Sequence, residues 1–216
     1  MSGLARWLTR SLLAVQANLA LLFGLKRRAQ ELYGQILARY PDDLIARATL
    51  GNMLAEAGAA EAAIAQFDTL LHYHPEHAES WFNLGFLQEK RDRVDDAERS
   101  FRRALALDPK LDRAWYGLGL VLIRQQRLTE AMAALKKNTQ LQPFSPYGWY
   151  QLAMTYHHLG EDAEAWKLQK HLQGFEPKFA AGLKRDLEQT LPRARVVEAA
   201  APARASPAQQ NAVQAV

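Results

Sequence analysis

Apolar positions along the chain recur at three- and four-residue steps, in short blocks separated by polar turns. The block Ala78–Lys90 carries Trp81, Leu84, Gly85 and Gln88 on one stripe, and a second block follows at Asp95–Leu107. A period near 3.6 predicts an amphipathic helix, so the two blocks predict a pair of short helices. The same pair returns along the chain. Pro41, Pro75, Pro109, Pro143 and Pro177 are spaced by 34 residues. Trp81, Trp115 and Trp149 keep that step, as do Leu50, Leu84, Leu118 and Leu152. Gly51, Gly85 and Gly119 follow those leucines, with Ala153 in the fourth place. Ala29, Ala63, Ala97, Ala131 and Ala165 run through all five units, and Tyr33, Phe67 and Phe101 form a bulky column continued by Leu135 and Gln169. Five units fill residues 10–179, and a constant period of this length marks stacked structural repeats.

The punctuation of each unit has a physical reason. The repeated proline ends the second helix, because its nitrogen cannot donate to the helical ladder. Gly58, Asp92 and Gly160 stand at the turn inside three units, where a left-handed backbone is expected, and Gly24 holds the same column in the first. Asp95, Thr129 and Glu61 sit near the start of second helices, where acceptors and negative charge favour free N–H groups. Ser145–Pro146 predicts a helix start, with Ser as cap and Pro in the first turn. Gly in the first helix and Ala in the second let the two cross closely, while the Trp and Phe columns fill the space beside them. One pair cannot bury both faces alone, so neighbours must stack.

This pattern resembles the tetratricopeptide repeat family. The matching residues are Trp81, Leu84, Gly85, Ala97, Phe101, Ala104 and Pro109 in one unit, and Trp115, Leu118, Gly119, Ala131 and Pro143 in the next. The resemblance implies an all-α solenoid, a right-handed superhelix of antiparallel helix pairs with a concave binding face. Four regular units occupy 44–179. The unit 10–43, after a leader at 1–9, departs from the pattern: Leu13 stands where Trp is usual, and Gln16 and Ala17 take the Leu–Gly columns. Its first helix, Ser11–Phe23, is unusually apolar.

Three readings of that helix stay open. It is a divergent repeat helix meeting something apolar, a membrane span, or an interfacial anchor. Residues 11–25 extend only about 22 Å, short of a bilayer core of roughly 30 Å. Trp7, Arg6 and Arg10 on one flank and Lys26, Arg27 and Arg28 on the other suit anionic headgroups. Val15–Gln16–Ala17 looks like a small-residue cleavage site, but the strongest apolar run follows it, which argues against a secretory signal. At the far end, 180–191 predicts an amphipathic capping helix with Leu183, Leu187 and Leu191 as its stripe. From Pro192 the composition turns to Ala, Pro, Gln and Arg, and 192–216 reads as a disordered tail.

Charge changes the picture only once it is placed. The net charge is +4. Residues 1–43 carry six basic and three acidic groups, 44–179 carry 16 and 17, and 180–216 carry five and three. The repeat body is nearly neutral, so a nucleic-acid stripe is not expected. The chain has no cysteine, which excludes disulfides and thiolate chemistry. His72, His74 and His77 could be read as metal ligands, but no further ligand accompanies them. No phosphate loop, nucleophile elbow or paired-carboxylate motif appears, so neither an enzyme nor a cofactor is expected.

In the family the first helix of each unit lines the groove. That resemblance assigns the groove to Asn52, Phe82, Phe86, Lys90, Arg113, Tyr116, Arg124, Tyr147, Tyr150, Met154 and His157. Aromatic anchors beside adaptable Met suit a peptide or amphipathic helix of another protein. Asn52, Asn83 and Arg113 fall at positions resembling the family's carboxylate clamp, yet Ala48 and Gly117 replace its cations, which argues against terminal-carboxylate binding. The expected role is a non-catalytic adaptor, cytoplasmic. The alternative is a membrane-peripheral or self-associating assembly factor using residues 7–25.

Overall fold

A computed structural model describes residues 3–189, with side chains from Trp7 onward. Among the described residues there are eleven helices and no strand. They are α1 (Gly3–Leu22), α2 (Lys26–Arg39), α3 (Leu44–Glu56), α4 (Ala60–Tyr73), α5 (Ala78–Lys90), α6 (Val94–Leu107), α7 (Asp112–Arg124), α8 (Leu128–Leu141), α9 (Pro146–His158), α10 (Asp162–Gln173) and α11 (Pro177–Gln189). The fold is an all-α tetratricopeptide-type solenoid. The described residues divide into two compact units, one ending at Gly148 and one beginning at Trp149, the break falling inside α9. Residues 3–9, expected as a leader, are continuous with α1. Leu191 and the tail from Pro192 lie outside the described residues.

In the first unit each odd helix packs on the following even one, and α3, α5 and α7 also pack on the even helix before them. The columns explain why. The alanines at 29, 63, 97 and 131 are completely buried. Phe67 and Phe101 are among the largest fully buried side chains, and a Cβ added to Gly85 would meet the ring of Phe101 at 3.0 Å. Glycine is therefore needed there so that α5 can close onto α6. Truncating a buried Phe of this kind to Ala costs about 3–5 kcal/mol.

The turns are built the same way five times. Leu25, Ala59, Arg93, Arg127 and Glu161 each donate their N–H to the carbonyl five residues back, at 2.7–2.9 Å. The residue before each is left-handed: Gly24 (φ 71°), Gly58 (78°), Asp92 (63°), Gln126 (62°) and Gly160 (81°). This is the Schellman ending of a helix. The residues preceding α2, α4, α6, α8 and α10 make no side-chain cap bond. Asp95, Thr129 and Glu61 thus lie inside their helices rather than at the cap. Side-chain caps occur instead on two first helices, where Asp43 accepts from Ala46 N at 2.9 Å and His77 Nδ1 from Ser80 N at 3.2 Å.

Pro41, Pro75, Pro109 and Pro143 each follow a helix end and occupy the second position of a turn closed by Asp43, His77, Leu111 and Ser145 N–H groups. The indole nitrogens of Trp81 and Trp115 donate to the carbonyls of Pro75 and Pro109, both at 2.9 Å. In the unit before them Arg47 holds that column, and its guanidinium donates to the carbonyl of Pro41.

In the second unit, α10 and α11 pack together around Leu172, Ala180 and Leu183. Pro177 departs from its column: it is the first residue of α11, three residues earlier than the register of the preceding odd helices.

Candidate functional site

The first helices α3, α5 and α7 place a groove along the first unit. On α5, Phe82 and Phe86 are one turn apart and their rings stack at 6.3 Å with 22° between planes. Two adjoining pockets, of about 270 and 660 Å³, share Phe82, Phe86 and Arg113. Tyr116 and Tyr147 line the smaller one; Asn52 and Lys90 line the larger. Cations cover both rings. Arg113 Cζ lies 4.7 Å from the Phe82 centroid, and Lys90 Nζ lies 4.4 Å from that of Phe86. Arg113 also donates to Glu79 Oε2 at 2.8 Å. The groove thus offers an apolar floor with Lys90 and Arg113 over its rings, and Glu56, Glu89 and Asp112 also on its lining.

Seven of the sequence-assigned residues come together here: Asn52, Phe82, Phe86, Lys90, Arg113, Tyr116 and Tyr147. Arg124 does not line these pockets. Its guanidinium donates to Glu89 Oε1 at 3.0 Å and to the carboxylate of Asp92, so it ties α7 to the left-handed corner after α5. Tyr150, Met154 and His157 belong to the second unit. The Tyr150 hydroxyl donates to Asp186 of α11. His157 corrects the assignment: it is buried, with Nδ1 hydrogen-bonded to Asp162 at the start of α10, so its ring faces the packing and not a groove.

Sequence reasoning missed two groups that reach the smaller pocket from second helices, Phe101 and Asn138. Phe101 lies directly beneath the pocket at Gly117. A Cβ at that position would lie 2.6 Å from Phe101 Cζ, so no side chain fits and the ring becomes the pocket floor. Gly117 interrupts a column otherwise held by Val15, Thr49, Asn83 and Gln151, and that break was the available signal. The same geometry excludes a clamp cation at 117. Asn83 Nδ2 and Asn52 Oδ1 face each other at 3.4 Å.

The three clustered histidines have separate partners. His74 Nε2 donates to the Asp42 carbonyl at 2.7 Å, His77 caps α5, and His72 meets Tyr73 edge-on. Among the described residues no group of three His, Asp or Glu side chains could hold a metal ion.

Sequence profiles of the tetratricopeptide repeat match residues 27–84, 60–112 and 87–146, which together span more than half of the chain. The chain belongs to the tetratricopeptide repeat family. No curated protein sequence matches it. Several solved structures resemble it over most of the chain. One is a crystal structure of MamA protein, with TM-score 0.72 and 23% identity over 85% of this chain and 97% of that one. A second is residues 41 to the end of MamA from Desulfovibrio magneticus RS-1, with TM-score 0.69 and 20% identity over 82% and 96%. A third is YrrB, described as a tetratricopeptide protein with an unusual peptide-binding site, with TM-score 0.69 and 21% identity over 78% and 88%. At these identities the likeness establishes the fold.

Proposed function

We propose that this tetratricopeptide protein is a non-catalytic interaction scaffold that holds an amphipathic helix or apolar peptide of another protein along α3, α5 and α7. The observation that carries this reading is the Phe82–Phe86 stack, with Phe86 43% exposed between two pockets. An exposed aromatic ring flanked by cavities and cations is the kind of anchor that dominates binding energy. The cations select the ligand further. Lys90 and Arg113 favour a peptide whose apolar residues are followed by Asp or Glu. The peptide-binding site named for YrrB adds support by likeness of fold.

The test uses the full chain as bait in native extract, followed by calorimetry with the captured partner. Phe86→Ala and Tyr116→Ala should each weaken binding by roughly tenfold or more, the range of interface hot spots, while the helical circular-dichroism signal stays. A control, Arg103→Ala on α6, should bind as the parent does. Undiminished capture by both groove variants would overturn the proposal.

A further inference from the structure

The outer face of α1 carries a continuous apolar stripe. Leu8, Leu12, Val15, Leu19 and Leu22 follow at steps of four and three, within an arc of about 80° at 100° per residue, and all are exposed. Trp7 and Phe23 extend it at either end. The opposite face, Leu13, Ala17 and Ala20, is buried with α2. We infer that this stripe is a docking surface for an anionic lipid bilayer, with α1 lying in the plane of the headgroups.

Three observations select that occupant. The first is size. In the inner units the column of Leu12 is filled by Ala46, Ser80 and Ala114, each at most 2% exposed, where α3, α5 and α7 receive the preceding helix pair. Leu12 is 60% exposed, and Leu19 is 48% exposed where Met53, Leu87 and Val121 are buried. A leucine at 12, where close helix contact holds Ala or Ser in the inner units, disfavours a further repeat stacked in the same register. The second is charge. The sequence of α1 contains Arg6 and Arg10 and no acidic residue, and Lys26, Arg27 and Arg28 follow its end. Two such helices would bring cations together, whereas anionic headgroups neutralise them. Lys26 and Arg28 do pair with Glu56 and Glu31, but both pairs are solvent-exposed and hold weakly. Arg10 is not available, since it donates to Asp43 and turns toward the repeat. The third is geometry. The exposed stripe runs from Leu8 to Leu22 along one face of α1, as a helix lying in the plane of the headgroups requires.

The test is flotation of the full chain with vesicles of phosphatidylcholine alone or mixed three to one with phosphatidylglycerol. The protein should float with the mixed vesicles and not with the neutral ones, and added salt should release it. Leu12→Glu with Leu19→Glu should abolish flotation; both sites are on the surface, and unchanged circular dichroism checks the fold. Replacing Lys26, Arg27 and Arg28 by Gln should lower the partition coefficient by on the order of a hundredfold, from the usual contribution of a basic residue near an anionic surface. Phe86→Ala should float as the parent does, which separates this surface from the groove. Failure to bind the mixed vesicles, equal binding to both, or a concentration-dependent dimer that Leu12→Glu dissociates would overturn the inference; the last would make a second copy the occupant.

Discussion

Gln126 is the one large side chain in the left-handed turn column. Glycine fills the column at 24, 58 and 160, and Asp92 is a short polar residue that tolerates this backbone. At φ 62° the Cβ of Gln126 crowds its own backbone, at a cost of about 1–2 kcal/mol for an L-residue. Gln126→Gly removes that cost. It also gives the unfolded chain more freedom, worth roughly 0.5–1 kcal/mol against the folded state. The side chain's hydrogen bond to the Ile123 carbonyl is 3.5 Å long and exposed, and its loss offsets part of the gain. The net expectation is a gain of about 0.5–1 kcal/mol, or about 1–4 °C in Tm for a chain of this size. Urea unfolding followed by far-ultraviolet circular dichroism reads it, with three comparisons. Gln126→Ala keeps the Cβ and should gain nothing. Gln126→Asn should fall between Ala and Gly. Asp92→Gly relieves less strain and loses the bond from Arg124, so it should be neutral or worse. Because a solenoid need not unfold in one step, whole curves are compared rather than midpoints alone. A Gln126→Gly variant no more stable than the parent, or a Gln126→Ala variant as stable as Gln126→Gly, would refute the strain assigned to this corner.

Three further predictions test the packing and its charges. Gly117→Ala should destabilise by about 1–2 kcal/mol despite better helix propensity, since Phe101 cannot yield, and a thermal melt reads it. Arg47→Trp should stabilise by about 1 kcal/mol. Burial disfavours its guanidinium charge and leaves Nε without a hydrogen-bond partner, whereas an indole in this column still reaches the proline carbonyl. Acid should weaken the α6–α8 face. Burial pushes the Glu98 carboxyl upward, but hydrogen bonds from Gln125, Arg102 and Arg127 outweigh it and hold it below the ordinary value; hydrogen bonds from Arg127 likewise hold Glu130 down. The unfolded chain therefore takes up protons first, and the stability these groups lend at neutral pH is lost as pH falls below about 4.5. Glu98→Gln should lower the urea midpoint at neutral pH, with the difference shrinking as pH falls through the lowered Glu98 value.

The repeat made the fold legible because the chain supplies its own alignment. The 34-residue step located α5 to the residue and α6 to within one, since Pro and the turn column fix both ends of each pair. What stayed hidden depended on contacts between columns. Gln126 gives no turn signal by residue type, and only its register predicts the left-handed backbone. The start of α11 at Pro177 was misplaced because the same proline serves as a stop in four units and as a first helical residue in the fifth. Phe101 reads as core from its column and becomes a pocket floor only through Gly117, one unit further on.

Variation among the units is itself informative about the groove. Columns that hold one residue, such as the alanines at 29, 63, 97, 131 and 165, are buried in every unit, because helix crossing admits nothing larger. The columns that face the groove change freely: Ala48, Phe82 and Tyr116 in one, Asn52, Phe86 and Leu120 in the next turn. Packing does not constrain them, so their identity reports what lies opposite. The column of Leu12 combines the two cases. It is small and buried at Ala46, Ser80 and Ala114, then large, apolar and exposed in α1 alone. A packing column released from packing should turn polar, since an exposed Leu gains nothing from water. Leu12 and Leu19 both break that expectation, within a stripe of five exposed apolar residues on one face of α1, and that departure is the observation on which the proposed bilayer contact rests.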